Sequence, residues 1–282
     1  MIRSLPVPDL SAIAGHPHAK RALEVAACGG HNLALIGGPG SGKTLLARAL
    51  AGLLPPYGQR LARPLVEGQD AMTWVEEALR GHRGSLDQAR HGVLVLDRLD
   101  CFGYSSVQIQ RIATVFDQAV DVQLVLTAQP CPCGWTGDPL RECHCSVRLI
   151  QRHQQRLRAL LERMALTVEL APPEAEHLLD TRASEGSARV AARVREAAQR
   201  HQQRFVGVST RRNAGMDHAQ ILRWCALDAP AQTLYKAAFQ QLRWSARTAD
   251  TVLSVARTIA DLAESDQIHA NHLAEAIGYS PR

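Results

Sequence analysis

Hydrophobic positions keep two rhythms along this chain, one up to about residue 170 and another after it. In the first part, short continuous apolar runs alternate with stretches of helical spacing. Asn32-Leu33-Ala34-Leu35-Ile36, Gly92-Val93-Leu94-Val95-Leu96-Asp97 and Val122-Gln123-Leu124-Val125-Leu126-Thr127 read as buried strands. Helical spacing is found over Pro17–Ala27, Leu45–Leu50, Gly68–Arg80 and Ser105–Ala119. In the last of these, Val107, Ile109, Ile112, Val115 and Phe116 form the expected apolar face. Gly29-Gly30 closes the first helix, as glycine commonly does. Asp9–His16 reads as a loop, Pro55-Pro56-Tyr57-Gly58 as a breaker and Gly84–His91 as a polar stretch. Alternating strands and helices predict a parallel sheet covered on both faces.

Pro172-Pro173 marks a boundary, and no convincing strand pattern follows it. Helices are predicted at Ala175–Leu179, Ser187–Phe205, Asp217–Trp224, Pro230–Leu242, Ser245–Ala263 and Ala270–Ile277. Val252, Val255, Ala256, Ile259 and Leu262 recur at helical spacing, which makes them core positions. The expected organisation is an α/β domain over residues 1–171 and an all-helical domain over 172–282, without internal repeats.

Composition sharpens this picture in three places. Apolar residues are 46% of the chain and aromatic ones 4%, so the core must be mostly aliphatic. The net charge is +5 and the cations are nearly all arginine, with Lys20, Lys43 and Lys236 the only lysines. That basicity permits nucleic-acid contact without demanding it. No apolar run is long enough to span a membrane, and Met1–Pro8 lacks the apolar stretch of a signal peptide. A cytoplasmic protein with reduced cysteines is expected.

The chemistry centres on Gly37-Gly38-Pro39-Gly40-Ser41-Gly42-Lys43-Thr44, which fits the phosphate-binding loop G-x-x-x-x-G-K-[ST] between a strand and a helix. Glycines let successive backbone N–H groups turn around a phosphate, ahead of a helix N-terminus. Gly38, Pro39, Gly40, Ser41, Gly42, Lys43, Thr44 and Leu45 are therefore the expected ATP-binding residues. Lys43 supplies charge to the β/γ-phosphates and the Thr44 hydroxyl can ligate Mg²⁺. Val93–Asp97 has the form of the second nucleotide motif, apolar residues ending in an Asp that helps to hold the same ion. Hydrolysing relatives of such proteins usually follow this Asp with Glu, which orients the attacking water. Here the next residue is Arg98, which accepts no proton at neutral pH. Two readings of Arg98 stay open, a partner for the γ-phosphate and a cap on a surface turn. Asp100 is the nearest substitute carboxylate.

Cys131-Pro132-Cys133 and Cys143-His144-Cys145 form a C-x-C pair of pairs, with turn-forming Gly134, Gly137, Asp138 and Pro139 between them. Four thiolates suit a structural, closed Zn²⁺ site, and His144 could replace one of them. Unligated or redox-active cysteines are the other reading. Cys28, Cys101 and Cys225 stand apart and read as small apolar fillers. Arg189, Arg193, Arg200 and Arg204 lie near one face of the helix predicted at Ser187–Phe205. Solvation is the favoured reading of that face over phosphate contact, because Glu196 interrupts it and no aromatics interleave.

These motifs stand in a chain that resembles the ComM/YifB branch of the magnesium-chelatase-like AAA+ ATPases. Ala19-Lys20-Arg21-Ala22-Leu23-Glu24, Gly29-Gly30-His31-Asn32-Leu33 and the phosphate loop carry the resemblance. So do His91-Gly92-Val93, Pro130-Cys131-Pro132-Cys133-Gly134, Gly137-Asp138-Pro139, Ser245-Ala246-Arg247 and Val255–Leu262. It implies an α/β fold, a P-loop AAA+ core with a C-terminal helical lid, assembled into a homo- or hetero-oligomeric ring with ATP between subunits. In the ComM branch the implied work is ATP-driven DNA branch migration during uptake and recombination. By the same resemblance Arg163 would be an arginine finger reaching a neighbour's γ-phosphate, with Arg156 a weaker alternative. Arg247 would be the sensor-2 arginine, and Gln129 stands where relatives have the sensor-1 Asn. Asp97, Gln129, Arg163 and Arg247 are thus the expected catalytic set.

Departures from the pattern matter too. The resemblance implies a Lon-protease-like domain ahead of the core, and a short form without it is expected here. Arg63-Pro64 keeps one family segment, but the His-His motif after it is missing, and only Val120-Asp121-Val122 remains of a pore-lining hairpin. With Arg98, the missing insertion favours an ATP-binding switch or assembly partner that hydrolyses poorly. The alternatives are a DNA motor and a chelatase-type subunit.

Overall fold

The three apolar runs of the first part become strands of one parallel sheet, which two further strands complete. The computed structural model describes residues 7–55, 65–66, 73, 75–77, 80, 92–102, 105–118, 122–172 and 185–281. Strands β1 (Leu33–Gly37), β2 (Leu65–Val66), β3 (Val93–Leu96), β4 (Gln123–Ala128) and β5 (Leu166–Leu170) lie in the order β2-β3-β4-β1-β5. All pairings are parallel, with Leu33 opposite Val125 on one side and Leu166 on the other. Because β4 lies between β1 and β3, the chain leaves β1 and returns beyond its neighbour. That order opens a crevice at the carboxyl ends of the strands, the usual ligand position in such sheets.

Alternation sends the strand side chains to two apolar layers. Leu33, Leu35, Val93, Val95, Val125, Leu166 and Val168 join the layer that contains α1 (Pro17–Gly29) and α2 (Lys43–Ala49). Ala34, Leu94, Leu96, Leu124 and Leu126 join the other, with Ile109, Ile112 and Ala113 of α3 (Ser106–Gln118) and Leu157 and Leu160 of α4 (Val147–Leu161). Pro17 opens α1, where a missing N–H does no harm, and Gly30 ends it in the left-handed conformation at φ 73°. The expected apolar face of α3 is corrected at Val107, which is 69% exposed. It lies two residues before the buried Ile109, a spacing that puts it on another side of the helix. The side chains of Val115 and Phe116 lie outside the described residues, as do Arg63-Pro64, Val120-Asp121, the helix expected at 175–179 and most of the stretch expected to be helical over 68–80. Thr73 and Val75–Glu77 within that stretch are helical.

After residue 185 the described elements are helices: α5 (Ser187–Arg204), α6 (His218–Trp224), α7 (Ala229–Gln241), α8 (Ala246–Leu262) and α9 (Ala270–Tyr279). Asp217, Asp228 and Ser245 cap α6, α7 and α8 by accepting a bond from the third helical amide. α5 and α8 pack against α1, and one apolar layer runs without interruption from the sheet through α1 to Val194, Val252, Ile259 and Leu273. Polar ties reinforce the seam. Arg193 donates to Glu24 at 2.6 Å and Arg21 to Glu275 at 2.8 Å. Asp261, on α8, is buried and accepts from Arg204, Arg257, His201 and Asn213. Arg189 and Arg200 pair with Glu185 and Glu264. The basic face of α5 is therefore neither free for phosphate nor simply solvated, since Glu24, Glu185, Asp261 and Glu264 pair with it. Among the described residues, no helix is long and apolar enough to cross a membrane.

Candidate nucleotide and metal sites

The phosphate loop leaves the carboxyl end of β1 and enters α2, at the crevice the strand order opens. Gly42 holds φ 80° at the helix entrance, a conformation that side chains rarely adopt. Lys43 is buried and donates to the carbonyls of Gly37 at 2.8 Å and Gly38 at 2.6 Å. Pro39, Gly40 and Leu45 are exposed around it, whereas Gly38 and Ser41 are buried. The imidazole of His16 comes within 3.6 Å of the point where a Gly42 side chain would begin.

β3 brings Asp97 to the same edge. Thr44 Oγ1 donates to Asp97 Oδ1 at 3.0 Å, and Thr127 Oγ1 donates to that oxygen at 2.6 Å. Neighbouring ligands of an octahedral Mg²⁺, each about 2.1 Å from the ion, lie about 3 Å apart. The Thr44 and Asp97 oxygens have that separation and the hard character the ion needs. Thr127 was not legible as a site residue, although a polar residue ending the apolar run Leu124-Val125-Leu126 was its signal. Its hydroxyl also accepts the Arg98 N–H at 2.8 Å, which fixes the turn after Asp97. Arg98 is exposed and has φ 51°, uncommon for a residue other than glycine. Arg156 donates to the Asp100 carbonyl at 2.9 Å, so it braces this turn. Gln129 follows β4 directly at the same edge, and its carbonyl bonds the His153 imidazole at 2.9 Å.

The four thiols meet immediately beyond. Sγ–Sγ distances are 3.4 Å for Cys131–Cys133, 3.7 Å for Cys131–Cys143 and 3.6 Å for Cys133–Cys143, and all four sulfurs lie within 4.8 Å of one another. A disulfide needs about 2.05 Å, whereas thiolates about 2.3 Å from a tetrahedral Zn²⁺ sit about 3.8 Å apart. The cluster thus has the dimensions of a four-sulfur metal site, and it forms without His144. Burial alone would raise the Cys131 thiol, yet hydrogen bonds from Thr136 and the neighbouring thiols hold it down at about 6. Its connecting turn packs on the phosphate loop. Gly134 has φ 84°, and a side chain there would meet Pro39 Cδ at 2.7 Å. Trp135 lies against Gly38, and Arg141 stacks over its ring at 4.2 Å. Cys28 and Cys225 are buried away from this cluster, as small fillers would be.

Arg163 and Arg247 are elsewhere. Arg163 precedes β5 and Asp117 ends α3 shortly before β4, so both lie at the edge where the strands begin. The P-loop follows the opposite edge, and a five-residue strand such as β1 spans roughly 16 Å. Arg163 Nη2 donates to Asp117 at 2.7 Å, and Arg247 at the start of α8 reaches the same carboxylate at 3.2 Å. Burial works against the Asp117 charge, but the bonds from Arg163 and then Arg247 outweigh it and hold the carboxyl below the usual range.

Two family models match this chain. One describes the magnesium chelatase subunit ChlI and matches residues 9–66 and 71–178. The other describes the C-terminal part of that subunit and matches residues 184–280. The chain belongs to the magnesium chelatase ChlI family. Among its relatives are the uncharacterized protein YifB of Escherichia coli, 31% identical over 310 residues, and the competence protein ComM of Haemophilus influenzae, 31% identical over 312. An uncharacterized protein of Mycobacterium tuberculosis is 28% identical over 310 residues. Each of the first two alignments covers 96% of this chain but 60% of the relative, and the third covers 96% and 61%. It is a ComM/YifB-type member of the ChlI family, with an α/β AAA+ core and a C-terminal helical region.

Proposed function

We propose that this ChlI-family chain binds Mg-ATP in residues 38–45 and works as a nucleotide-dependent switch or assembly partner that hydrolyses ATP slowly. The convergence of Thr44 and Asp97 beside the phosphate loop, followed by Arg98 rather than an acid, carries the reading. Thr44 and Asp97 would hold Mg²⁺, which neutralises phosphate charge, while Lys43 would leave the Gly37 and Gly38 carbonyls for the β/γ-phosphates. Gln129, at the same edge, would meet the γ-phosphate. Cys131, Cys133, Cys143 and Cys145 would hold a structural Zn²⁺ that braces the loop. Arg163 and Arg247 lie a strand's length from their own loop, which supports a role on the nucleotide of an adjoining copy within a ring. The same reading divides the chain into a nucleotide-binding core over 1–171 and a helical domain over 172–282.

Calorimetric titration of Mg-ATP into the whole chain tests the reading. Saturable heat that disappears in Lys43→Ala is the expected result, and no heat from well-folded wild-type protein overturns it. A second reading, an ATP-hydrolysing ring motor on DNA, draws on the relative named competence protein ComM. Strong stimulation of ATP turnover by DNA would favour that motor over the switch.

A further inference from the structure

We infer that Asp117 gathers Arg163 and Arg247 into a single anion receptor that docks on the nucleotide of an adjoining copy. The inference rests on the reading of these arginines as groups that act between copies. Three observations carry it. Arg163 is fixed at both ends of its guanidinium, with Nε 3.0 Å from each Asp117 oxygen and Nη1 donating to the Ala159 carbonyl at 2.7 Å. Arg247 comes from 130 positions away in sequence to share that carboxylate, while its side chain stays 67% exposed. Both arginines stand at the opposite sheet edge from their own phosphate loop.

Two guanidiniums brought together without an anion repel each other, and their long side chains would sample many positions. One carboxylate cancels part of that charge and holds both forks at one point. It leaves a net positive receptor, and Arg247 keeps most of its N–H donors for an incoming phosphate. Asp117 is thus a positioning residue: it touches no nucleotide of its own chain and acts through the two arginines. The carboxylate also orders a contact between the sheet half and the helical half of one subunit, so the receptor forms only when both halves are in register.

The test is the protein concentration at which the whole chain self-associates in Mg-ATPγS, measured by sedimentation, with melting temperature as the check on folding. Arg163→Ala and Arg247→Ala should each raise the midpoint. Asp117→Asn should raise it at least about tenfold, as loss of geometry at a charged contact does. Asp117→Glu should recover most of that loss, because a carboxylate remains. Arg247→Ala should weaken assembly much less in the Asp117→Asn background than in the wild type. A midpoint unmoved by Asp117→Asn, with both arginine variants impaired, overturns this inference and leaves the reading of the arginines standing. A wild-type chain that stays monomeric with nucleotide, or arginine variants that assemble normally, overturns both. Should Asp117→Asn fail to fold, Arg247→Lys takes its place. It keeps the charge and loses the fork, so a wild-type midpoint in that variant also overturns the receptor.

Discussion

At the residue scale, the turn after Asp97 concentrates the chemistry. A left-handed Arg98, with its N–H on Thr127, puts an exposed cationic residue directly after the proposed Mg²⁺ ligand Asp97. Arg98→Glu should therefore raise ATP turnover by ~10²–10⁴-fold if the turn keeps its shape, since a positioned base is worth about that much. Phosphate release from wild type and variant, side by side, checks it. Brisk wild-type turnover that Arg98→Glu leaves unchanged would refute the defect. His31 makes a second prediction. It is buried, bonds Thr258 at 2.7 Å, and is held down at about 3, first by burial and then by the charge of His201. Between pH 6.5 and about 3 the unfolded chain binds a proton there and the folded one does not. Stability at this site thus rises with pH through that window, at about 1.4 kcal/mol per pH unit, and is fully present above it. Urea midpoints from pH 7 to 4 should fall less steeply in His31→Gln than in the wild type. Individual residues were legible where chemistry fixes their type, as in Lys43, Thr44 and Asp97. Thr127 and Asp117 were not, because a lone Thr or Asp carries no spacing signal and acquires its partners only on folding.

At the element scale, the loop between β4 and α4 matters most. The C-x-C pairs could be read as a metal motif from the sequence, but not that their turn would press on the phosphate loop. Local spacing reports which groups can meet, and it is silent on what the meeting place rests against. Gly134 against Pro39, and Trp135 against Gly38, make the two loops one packed unit. Removing the proposed Zn²⁺ should loosen that unit. A strong chelator, or the pair Cys143→Ser and Cys145→Ser, should lower Mg-ATP affinity by about tenfold or more without unfolding the sheet, as calorimetry and circular dichroism can follow. Equal affinity with and without metal would disconnect the loops. Gly134→Ala should have a similar effect with the metal retained, since it adds both a strained φ and a 2.7 Å contact. β1, β3, β4 and most helix bounds were readable from apolar rhythm. By contrast, α4 is rich in Arg and Gln, which hid its apolar face, and β5 follows it so closely that the sequence marks no break.

At the scale of the whole molecule, the change of rhythm near residue 170 was legible, but the depth of contact between its two sides was not. Side chains that read as the core of a separate helical domain share one apolar layer with the sheet. Unfolding should accordingly be a single transition. Amides of β1 and α8 should exchange with solvent at similar opening free energies, as native-state hydrogen exchange measures. Much weaker protection confined to α8 would separate the halves. Asp261→Asn leaves Arg257 and Arg204 without their shared carboxylate in the helical half, which should lower stability by ~3–5 kcal/mol in denaturant titrations. A seam of this kind also decides what a bound nucleotide can move. The two halves of the chain are welded rather than hinged, so a nucleotide that shifts the phosphate loop would move the chain as one solid piece.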